Sequence, residues 1–158
     1  MTPTETFTAA LEQAANRAQA FEALGRLVAD ELGITLFTVM TMDFTAGVAR
    51  RAYSSHPVEY PVSGDKPIHR DAWFEQVHDR GQPFVANTIE DIAQVFPDAD
   101  TIASLGCASV ANIPVRVKGE ILGTLNLLDV AGYFDPAAVA RCKALLALPA
   151  IACFLLPA

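Results

Sequence analysis

Cysteine is scarce in this sequence, and its placement excludes the chemistry of cysteine clusters. The three cysteines, Cys107, Cys142 and Cys153, are an odd number and form no C-x-x-C pair. Such a set is typical of buried thiols in a reducing compartment, not of a disulfide framework or a zinc site. The three histidines are too dispersed along the chain to predict a metal centre.

Positive charge is also in short supply. The chain has 11 Lys and Arg residues against 18 Asp and Glu, a net charge of −7, which disfavours nucleic acid and anionic membrane partners. Residues 1–7 lack the basic and apolar segments of a secretory signal. The longest uncharged stretch, 144–158, is shorter than the roughly 20 residues that span a bilayer, and Pro149 and Pro157 interrupt it. We therefore expect a cytoplasmic protein without membrane or nucleic-acid partners.

The rest of the composition predicts one folded domain. A chain of 158 residues is long enough to bury a core. Hydrophobic residues make up 52% of it and charged residues only 18%, which argues against disorder. Since no internal repeat or low-complexity tract is visible, we expect a single domain over residues 1–158.

Residues 109–129 are predicted to form a central β-hairpin. Two apolar arms flank Lys118-Gly119, and Gly119 supplies the positive φ that a two-residue turn needs. A regular register places Ile113 opposite Thr124. It therefore puts Asn112 and Asn126 on opposite faces. Neither face is cleanly polar, so we expect the hairpin to be covered on both sides and to lie centrally in its sheet.

The other elements are predicted around this hairpin. Apolar spacing predicts a helix over residues 1–33, with Gly25 as a point where it divides, and a helix over residues 135–156. Strands are predicted over 36–43 and 48–54, the second nearer an edge because Arg50 and Arg51 lie in it. The segment from 56 to 106 is predicted as a loop (56–66), a helix (69–80), a brief strand (83–86), a capped turn at Thr88 and a short helix (101–105).

This order predicts an α+β fold with a central antiparallel sheet. The terminal helices would share one face. The irregular, aromatic-rich segment 56–106 would cover the other. Long irregular segments over a rigid sheet are where ligand pockets form, so we expect a pocket beneath this cover.

Three stretches of the sequence resemble the GAF domain family. They are FEALGRLVADELG (21–33), VHDRGQPFVANTIEDI (77–92), and LGCASVANIPV (105–115) followed by GEILGTLNL (119–127). The resemblance covers about Phe21 to Phe154 and implies a GAF/PAS-like fold. It also implies a sensory or regulatory module that binds a small organic ligand or dimerises, although fold alone does not decide function.

The resemblance also raises alternatives for chemistry. Bilin-binding relatives attach a chromophore through a cysteine commonly followed by histidine, whereas Ala108 follows Cys107 here. A thiol-dependent enzyme resembling free methionine-R-sulfoxide reductase is the enzymatic alternative, without an obvious resolving partner for Cys107. A ligand-free interaction module is a third. The Asn-Lys-Phe-Asp-Glu signature of cyclic-nucleotide-binding relatives and Gly-rich phosphate loops are both absent, so no cofactor is expected.

Seven residues are candidates for contact with a ligand, each with a structural alternative. The aromatic residues line a pocket or are plain core, and the polar tips of Tyr60 and Trp73 need partners. His69 is a pocket polar group or a solvent-facing residue, and Cys107 is a pocket thiol or a buried apolar residue. The two asparagines bind backbone, water or ligand because a buried amide needs partners. The candidates are Tyr60, His69, Trp73, Phe96, Cys107, Asn112 and Asn126.

The C-terminal helix is predicted to mediate a homodimer. Its last turns carry more large apolar residues than one sheet face can cover, and exposed patches of that kind mark interfaces. These large apolar residues are Leu145, Leu146, Leu148, Ile151, Phe154, Leu155 and Leu156.

Overall fold

A computed structural model of the chain, which describes residues 1–62 and 64–158, shows the predicted α+β architecture. Six antiparallel strands form one sheet in the order β3-β2-β1-β6-β5-β4. The predicted hairpin supplies β5 and β6, and β2 lies next to the edge strand β3, as expected. The strands are β1 (Leu36–Asp43), β2 (Val48–Ser54), β3 (Asp65–Pro67), β4 (Phe84–Ala86), β5 (Ser109–Val117) and β6 (Glu120–Asp129).

Helices cover both faces of this sheet. Two N-terminal helices and the C-terminal helix lie on one side, and the short helices lie in the segment over the other. The helices are α1 (Pro3–Gln13), α2 (Arg17–Leu32), α3 (Ala72–Phe74), α4 (Ile89–Val95), α5 (Ala99–Ser104) and α6 (Pro136–Phe154).

The N-terminal region forms two helices instead of the single helix predicted over 1–33. Ala14 leaves the helical conformation, and Asn16 then caps α2 by accepting a hydrogen bond from the backbone N–H of Gln19. The prediction that Gly25 divides this region is wrong. Gly25 lies within α2, where the ring of Tyr53 occupies the space that a Cβ would need.

The two faces of the sheet carry different side chains. One face packs its apolar residues against α2 and α6 in the main core, which includes Phe37, Val39, Leu125 and Leu127. The alternate residues of the same strands point to the opposite face, which the segment 56–106 covers. Every strand of the hairpin is therefore buried on both sides, as its sequence predicted.

The register of the hairpin differs from the prediction because of a β-bulge. Val117 pairs with Glu120 across the turn, and Arg116 pairs with Ile121. The register then shifts, so that Ile113 pairs with Leu125 instead of Thr124. The shift adds one residue to β6 and reverses which side chains share a face. Asn112 and Asn126 consequently become direct partners on one face, where the sequence had separated them.

A second β-bulge lies in the pair of β1 and β2. Val39 pairs with Tyr53, but Met40 pairs with Arg51, so the register shifts by one residue at Ala52. Without the shift, Arg51 and Tyr53 would point to the same face. With it, Tyr53 packs against Phe37 on the helical face, and Arg51 points to the opposite face.

The covering segment is more broken than the sequence predicted. In place of a helix over 69–80, one α-helical turn, α3, continues as a π-helical turn over Glu75–Asp79. The predicted loop 56–66 contains the start of β3 and includes Ser63, which lies outside the described residues. Helix α4 extends the capped turn at Thr88, and α5 begins two residues before the predicted 101.

Helix α6 exposes apolar residues on its outer surface, beside the charged Arg141 and Lys143. Its buried stripe includes Cys142, Leu146 and Cys153, yet Leu148 on the outer side is 76% exposed. Among residues 1–62 and 64–158, α6 is the one helix long and apolar enough to cross a membrane by length and composition, with 33% of its most apolar window buried. Core helices of soluble proteins meet the same criterion.

Candidate ligand-binding cavity

A cavity of about 500 Å³ lies between the sheet and the covering segment, in the predicted place. This volume is within the range of about 300–1,000 Å³ that small-molecule sites occupy. Strands β1, β2, β5 and β6 form its floor, and Tyr60 with residues from 66–74 and 95–102 form its walls. The floor side chains lie in rows because directly paired residues of neighbouring strands share a face.

The central row of the floor is a chain of hydrogen-bonded polar side chains. The indole Nε1–H of Trp73 donates to Asn112 Oδ1 over 2.9 Å. Asn112 Nδ2 donates to Asn126 Oδ1 over 2.8 Å, and Asn126 Nδ2 donates to Thr38 Oγ1 over 3.2 Å. In each of these hydrogen bonds a nitrogen donates to the oxygen of the next side chain. The oxygens of Asn112, Asn126 and Thr38 therefore all accept, and the hydroxyl proton of Thr38 remains free to donate.

The next row contains two polar groups with unmet hydrogen-bonding capacity. Thr124 is 1% exposed, and its Oγ1 has no hydrogen-bond partner among the described residues. Arg51, paired with Met40 on the adjoining strand, has a buried Nε that is likewise without a partner there. Buried polar groups are normally hydrogen-bonded, and those that are not often mark a place for a ligand or water.

The last row of the floor is apolar. Leu128 pairs with both Leu36 and Val110, so the three side chains lie side by side. Ile102 and Phe96 from the covering segment also line this end of the cavity. An elongated molecule in the cavity would therefore meet polar groups at one end and hydrocarbon at the other.

Tyr60 anchors the covering segment on the wall of the cavity. Its hydroxyl donates to Asp98 Oδ2 over 2.6 Å, and the guanidinium of Arg51 lies 4.8 Å from the centre of its ring. Burial, together with the Asp98 carboxylate, raises the pKa of the Tyr60 hydroxyl. The phenol therefore remains neutral and bridges residues 60 and 98 across the cover.

The mouth of the cavity is exposed and carries charge of both signs. Lys66, His69 and Asp71 line it on one side. The Asp71 side chain caps α3 by accepting a hydrogen bond from the backbone N–H of Phe74 over 2.9 Å. A solute can thus reach the floor past these residues.

Six of the seven candidate residues line this cavity, and one does not. Trp73, Asn112 and Asn126 belong to the polar row, and the others lie on the walls or at the mouth. Cys107 lies outside the lining. The six that the structure brings together are Tyr60, His69, Trp73, Phe96, Asn112 and Asn126.

Comparison with known proteins decides the family. The GAF domain family matches residues 3–152, nearly the whole chain. The chain belongs to the GAF domain family. GAF domains are sensory and regulatory modules, and the family binds small ligands. A search among curated proteins found no match.

Solved structures share the fold of this GAF domain. Residues 122 to 287 of a methyl-accepting chemotaxis protein are 15% identical with a TM-score of 0.70, covering 95% of this chain and 94% of that one. The GAF domain of a phosphoenolpyruvate-protein phosphotransferase from Coxiella burnetii is 18% identical with a TM-score of 0.68, covering 94% and 89%. The structure of JSC1_58120g3 in its far-red-absorbing dark state, with bound biliverdin IXα, is 13% identical with a TM-score of 0.64, covering 98% of each chain. At these identities the likeness shows the fold alone.

The thiols of this GAF domain are not placed for reactivity. Cys107 is 2% exposed and packs in the apolar cluster with Ile92 and Ile102, while Cys142 and Cys153 lie in the core on the other side of the sheet. Burial, with a smaller contribution from the Asp129 carboxylate, raises the pKa of the Cys107 thiol to about 11. Reactive cysteines instead have lowered pKa values and partial exposure.

Sequence reasoning missed Thr38, Thr124 and Arg51. Thr124 lies two residues before Asn126, so the period of two along a strand was the signal that could have found it. To predict Thr38 in the site one must know that β1 pairs with β6, and to predict Arg51 one must know of the bulge at Ala52. Among the residues that the structure describes, no group of three His, Cys, Asp or Glu side chains could hold a metal ion.

Proposed function

We propose that this GAF domain is a sensory module that binds one small organic molecule in the cavity beneath the segment 56–106. The observation that carries the proposal is the cavity of about 500 Å³ whose buried floor includes a Thr124 hydroxyl without a partner among the described residues. A floor built only for packing would be apolar or fully paired, because a buried unpaired hydroxyl costs about 1–3 kcal/mol.

Binding would act on the covering segment. The cover joins the sheet through β3 and β4, Trp73 reaches the floor at Asn112, and Tyr60 joins two parts of the cover at Asp98. A ligand that touches both the floor and the cover adds contacts between them. It would therefore favour one arrangement of the cover, which a partner protein can read.

Titration against a metabolite library tests this proposal. Trp73 is the single tryptophan of the chain and lines the cavity, so its fluorescence reports on occupancy, with isothermal titration calorimetry as a second measurement. Ala49→Phe places a ring into the cavity and should abolish binding. Ala46→Phe, in the exposed turn outside the lining, is the matched control. Absence of any binding, or binding that survives Ala49→Phe in a folded protein, would overturn the proposal.

We also propose that the module forms a homodimer through the outer face of α6. That face repeats small or apolar residues at steps of three and four, the spacing of a helix–helix seam. The seam residues are half-buried or exposed within one chain and carry no charge. They are Ala137, Ala140, Ala144, Ala147 and Ile151.

A second copy fits this face better than an aqueous surface does. A surface helix normally has one polar side, whereas the outer side of α6 carries Arg141 and Lys143 among mainly apolar residues. Small residues let two helices approach closely, and Leu148 and Leu155 lie beside the seam, 76% and 82% exposed. Light scattering should give the mass of two chains at micromolar concentration. The mass of one chain would reject the dimer.

A further inference from the structure

Two neighbouring arginines in β2 differ in a way that points to the charge of the ligand. Arg50 lies outside the cavity and forms an ion pair with Asp65 at 2.7 Å. Arg51 lines the cavity and forms no ion pair with any described residue, although its Nε is buried. Its Nη1 donates to the Pro61 carbonyl over 3.3 Å and its guanidinium lies over the Tyr60 ring, but neither group carries a negative charge, so an anionic partner would be favoured there.

The acidic groups of the cavity are already engaged. Asp98 accepts a hydrogen bond from the Tyr60 hydroxyl, and Asp71 accepts one from the backbone N–H of Phe74. Lys66 at the mouth adds a second positive charge, and it too lacks an ion pair within the described part of the chain. The lining thus carries two positive and two negative charges; the carboxylates are already held by hydrogen bonds, whereas the Arg51 and Lys66 cations form no ion pair within the described residues.

The neutral polar groups of the floor also favour a ligand rich in acceptors. The oxygens of Asn112 and Asn126 accept hydrogen bonds within the row, which leaves the second proton of each amide nitrogen to donate. The hydroxyl of Thr38 accepts from Asn126 and keeps its proton. The Thr124 hydroxyl adds a further donor in the same row as Arg51. Planar carboxylates match the forked donors of arginine and accept several hydrogen bonds at once.

The apolar end of the cavity sets the size of the remaining part of the ligand. Thr124 and Leu128 are four residues apart on β6, a distance of about 13 Å along a strand. The hydrocarbon row of Leu36, Leu128 and Val110 lies at the far end from Arg51. A molecule with its anionic group at Arg51 would cross the polar row of Asn112, Asn126 and Thr38 before its apolar end lies over the Leu128 row.

We propose that the ligand is a monocarboxylate with an apolar tail of roughly six to ten carbons in length, its carboxylate at Arg51 and Thr124 and its tail over the Leu128 row. This inference rests on the proposed ligand-binding function and specifies the chemistry of that site. It assigns Arg51 and Thr124 as the residues that select an acid over its neutral or cationic analogues.

Matched probe molecules test the charge. Hexanoate, octanoate and phenylbutyrate are titrated near pH 7.5, where carboxylates are ionised, and each is compared with its primary amide and its amine. Trp73 fluorescence and calorimetry report the dissociation constants. We expect at least one acid to bind about tenfold or more tightly than its amide, as charge-assisted bonds are about twice as strong as neutral ones. The amines should bind least.

Variants of neighbouring residues distinguish a loss of the preference for the acid from a general destabilisation of the fold. Arg51→Gln should bring the ratio of acid to amide affinity to about one, and Arg51→Lys should retain part of the preference. Arg50→Gln, the same change on the opposite face, should leave the ratio unchanged. Thr124→Val should weaken the acid about five- to tenfold, whereas Thr41→Val on the neighbouring strand should not.

The outcomes distinguish failure of this inference from failure of the proposed function. An amide or amine that binds as tightly as its acid, in a manner abolished by Ala49→Phe, overturns the carboxylate and leaves the ligand site intact. An acid that binds Arg51→Gln as well as the original chain also overturns it, and so does the absence of binding by all probes. Only the library titration decides whether the cavity binds any ligand.

Discussion

At the scale of single residues, the floor of the cavity contrasts paired and unpaired polar groups. Asn112 and Asn126 are buried, and each makes two side-chain hydrogen bonds within the central row. The oxygen and the nitrogen of each amide therefore have one partner each. Thr124, next to them on the same face, has an equally buried hydroxyl without such a partner. Replacing a paired and an unpaired group should therefore have different effects on stability.

Thr124→Val tests this difference in the ligand-free protein. Valine has nearly the shape of threonine, and no hydrogen bond to a described residue is lost, so the melting temperature should stay the same or rise. A gain of about 1 kcal/mol would raise it by roughly 2–4 °C for a chain of this size. Differential scanning calorimetry measures the change, with Thr41→Val as the control. A clear fall in melting temperature would show that the hydroxyl has a structural partner.

The thiols should be inert in the folded protein. Burial raises the pKa of Cys107 to about 11 and that of Cys153 to about 12, so almost no thiolate exists near pH 8. Modification by a thiol reagent, followed by mass spectrometry, should be about a hundredfold slower than in denaturant, since each pKa unit lowers the thiolate fraction about tenfold. Rapid modification of native Cys107 would contradict this and revive a thiol-dependent activity.

The same shifts predict how stability depends on pH. A thiol whose pKa is raised on folding holds its proton more tightly in the folded state. Its contribution is therefore complete below the ordinary value of 9.0 and is lost as the pH rises through about 11 for Cys107. Chemical unfolding at several pH values should show stability falling above about pH 9.

At the scale of elements, local signals in the sequence predicted what local interactions determine. Strand alternation, helix caps and the Lys118-Gly119 turn each depend on neighbours in the chain, and the elements that they predict are present. The two bulges depend on how the paired strands align, so no local pattern predicted them. They nevertheless determine which side chains line the cavity, because one brings Asn112 beside Asn126 and the other turns Arg51 into the cavity.

Gly123 shows how closely the central strands approach. A Cβ at this position would overlap the carbonyl oxygen of Met40 on β1 and would come within 2.9 Å of the Phe154 ring of α6. Since a backbone atom cannot move aside without disturbing the pairing, Gly123→Ala should destabilise the fold by about 1–3 kcal/mol or more. Urea unfolding measures the loss.

The matched control for this change is Gly119→Asn in the exposed turn. Gly119 has a φ of 74° and open space around its Cα, and asparagine adopts positive φ more readily than other residues. It should lower stability less than Gly123→Ala does. Equal stability of the Gly123→Ala variant and the original chain would mean that β1 and β6 can separate at low cost.

At the scale of the whole molecule, one face of the sheet packs against the helices and the other lines the cavity. Leu125 and Leu127 of β6 pack against the helical layer, while Thr124 and Asn126 of the same strand line the cavity. Adjacent residues of one strand thus contact the cavity and the layer that contains α6. A ligand that shifts β6 would also shift the packing of α6, which connects the two proposals made for this module.

Ala144→Glu tests the dimer at this scale. Ala144 lies on the outer face of α6 and is exposed in the single chain, so glutamate there should leave the protomer folded. In a helix–helix seam, however, each copy would place a carboxylate against the other, and burying unpaired like charges is strongly unfavourable. Light scattering should therefore change from the mass of two chains to that of one, with an unchanged circular dichroism spectrum. Ala103→Glu, on the exposed side of α5, should remain dimeric. A dimer that persists in the Ala144→Glu variant would place the interface elsewhere.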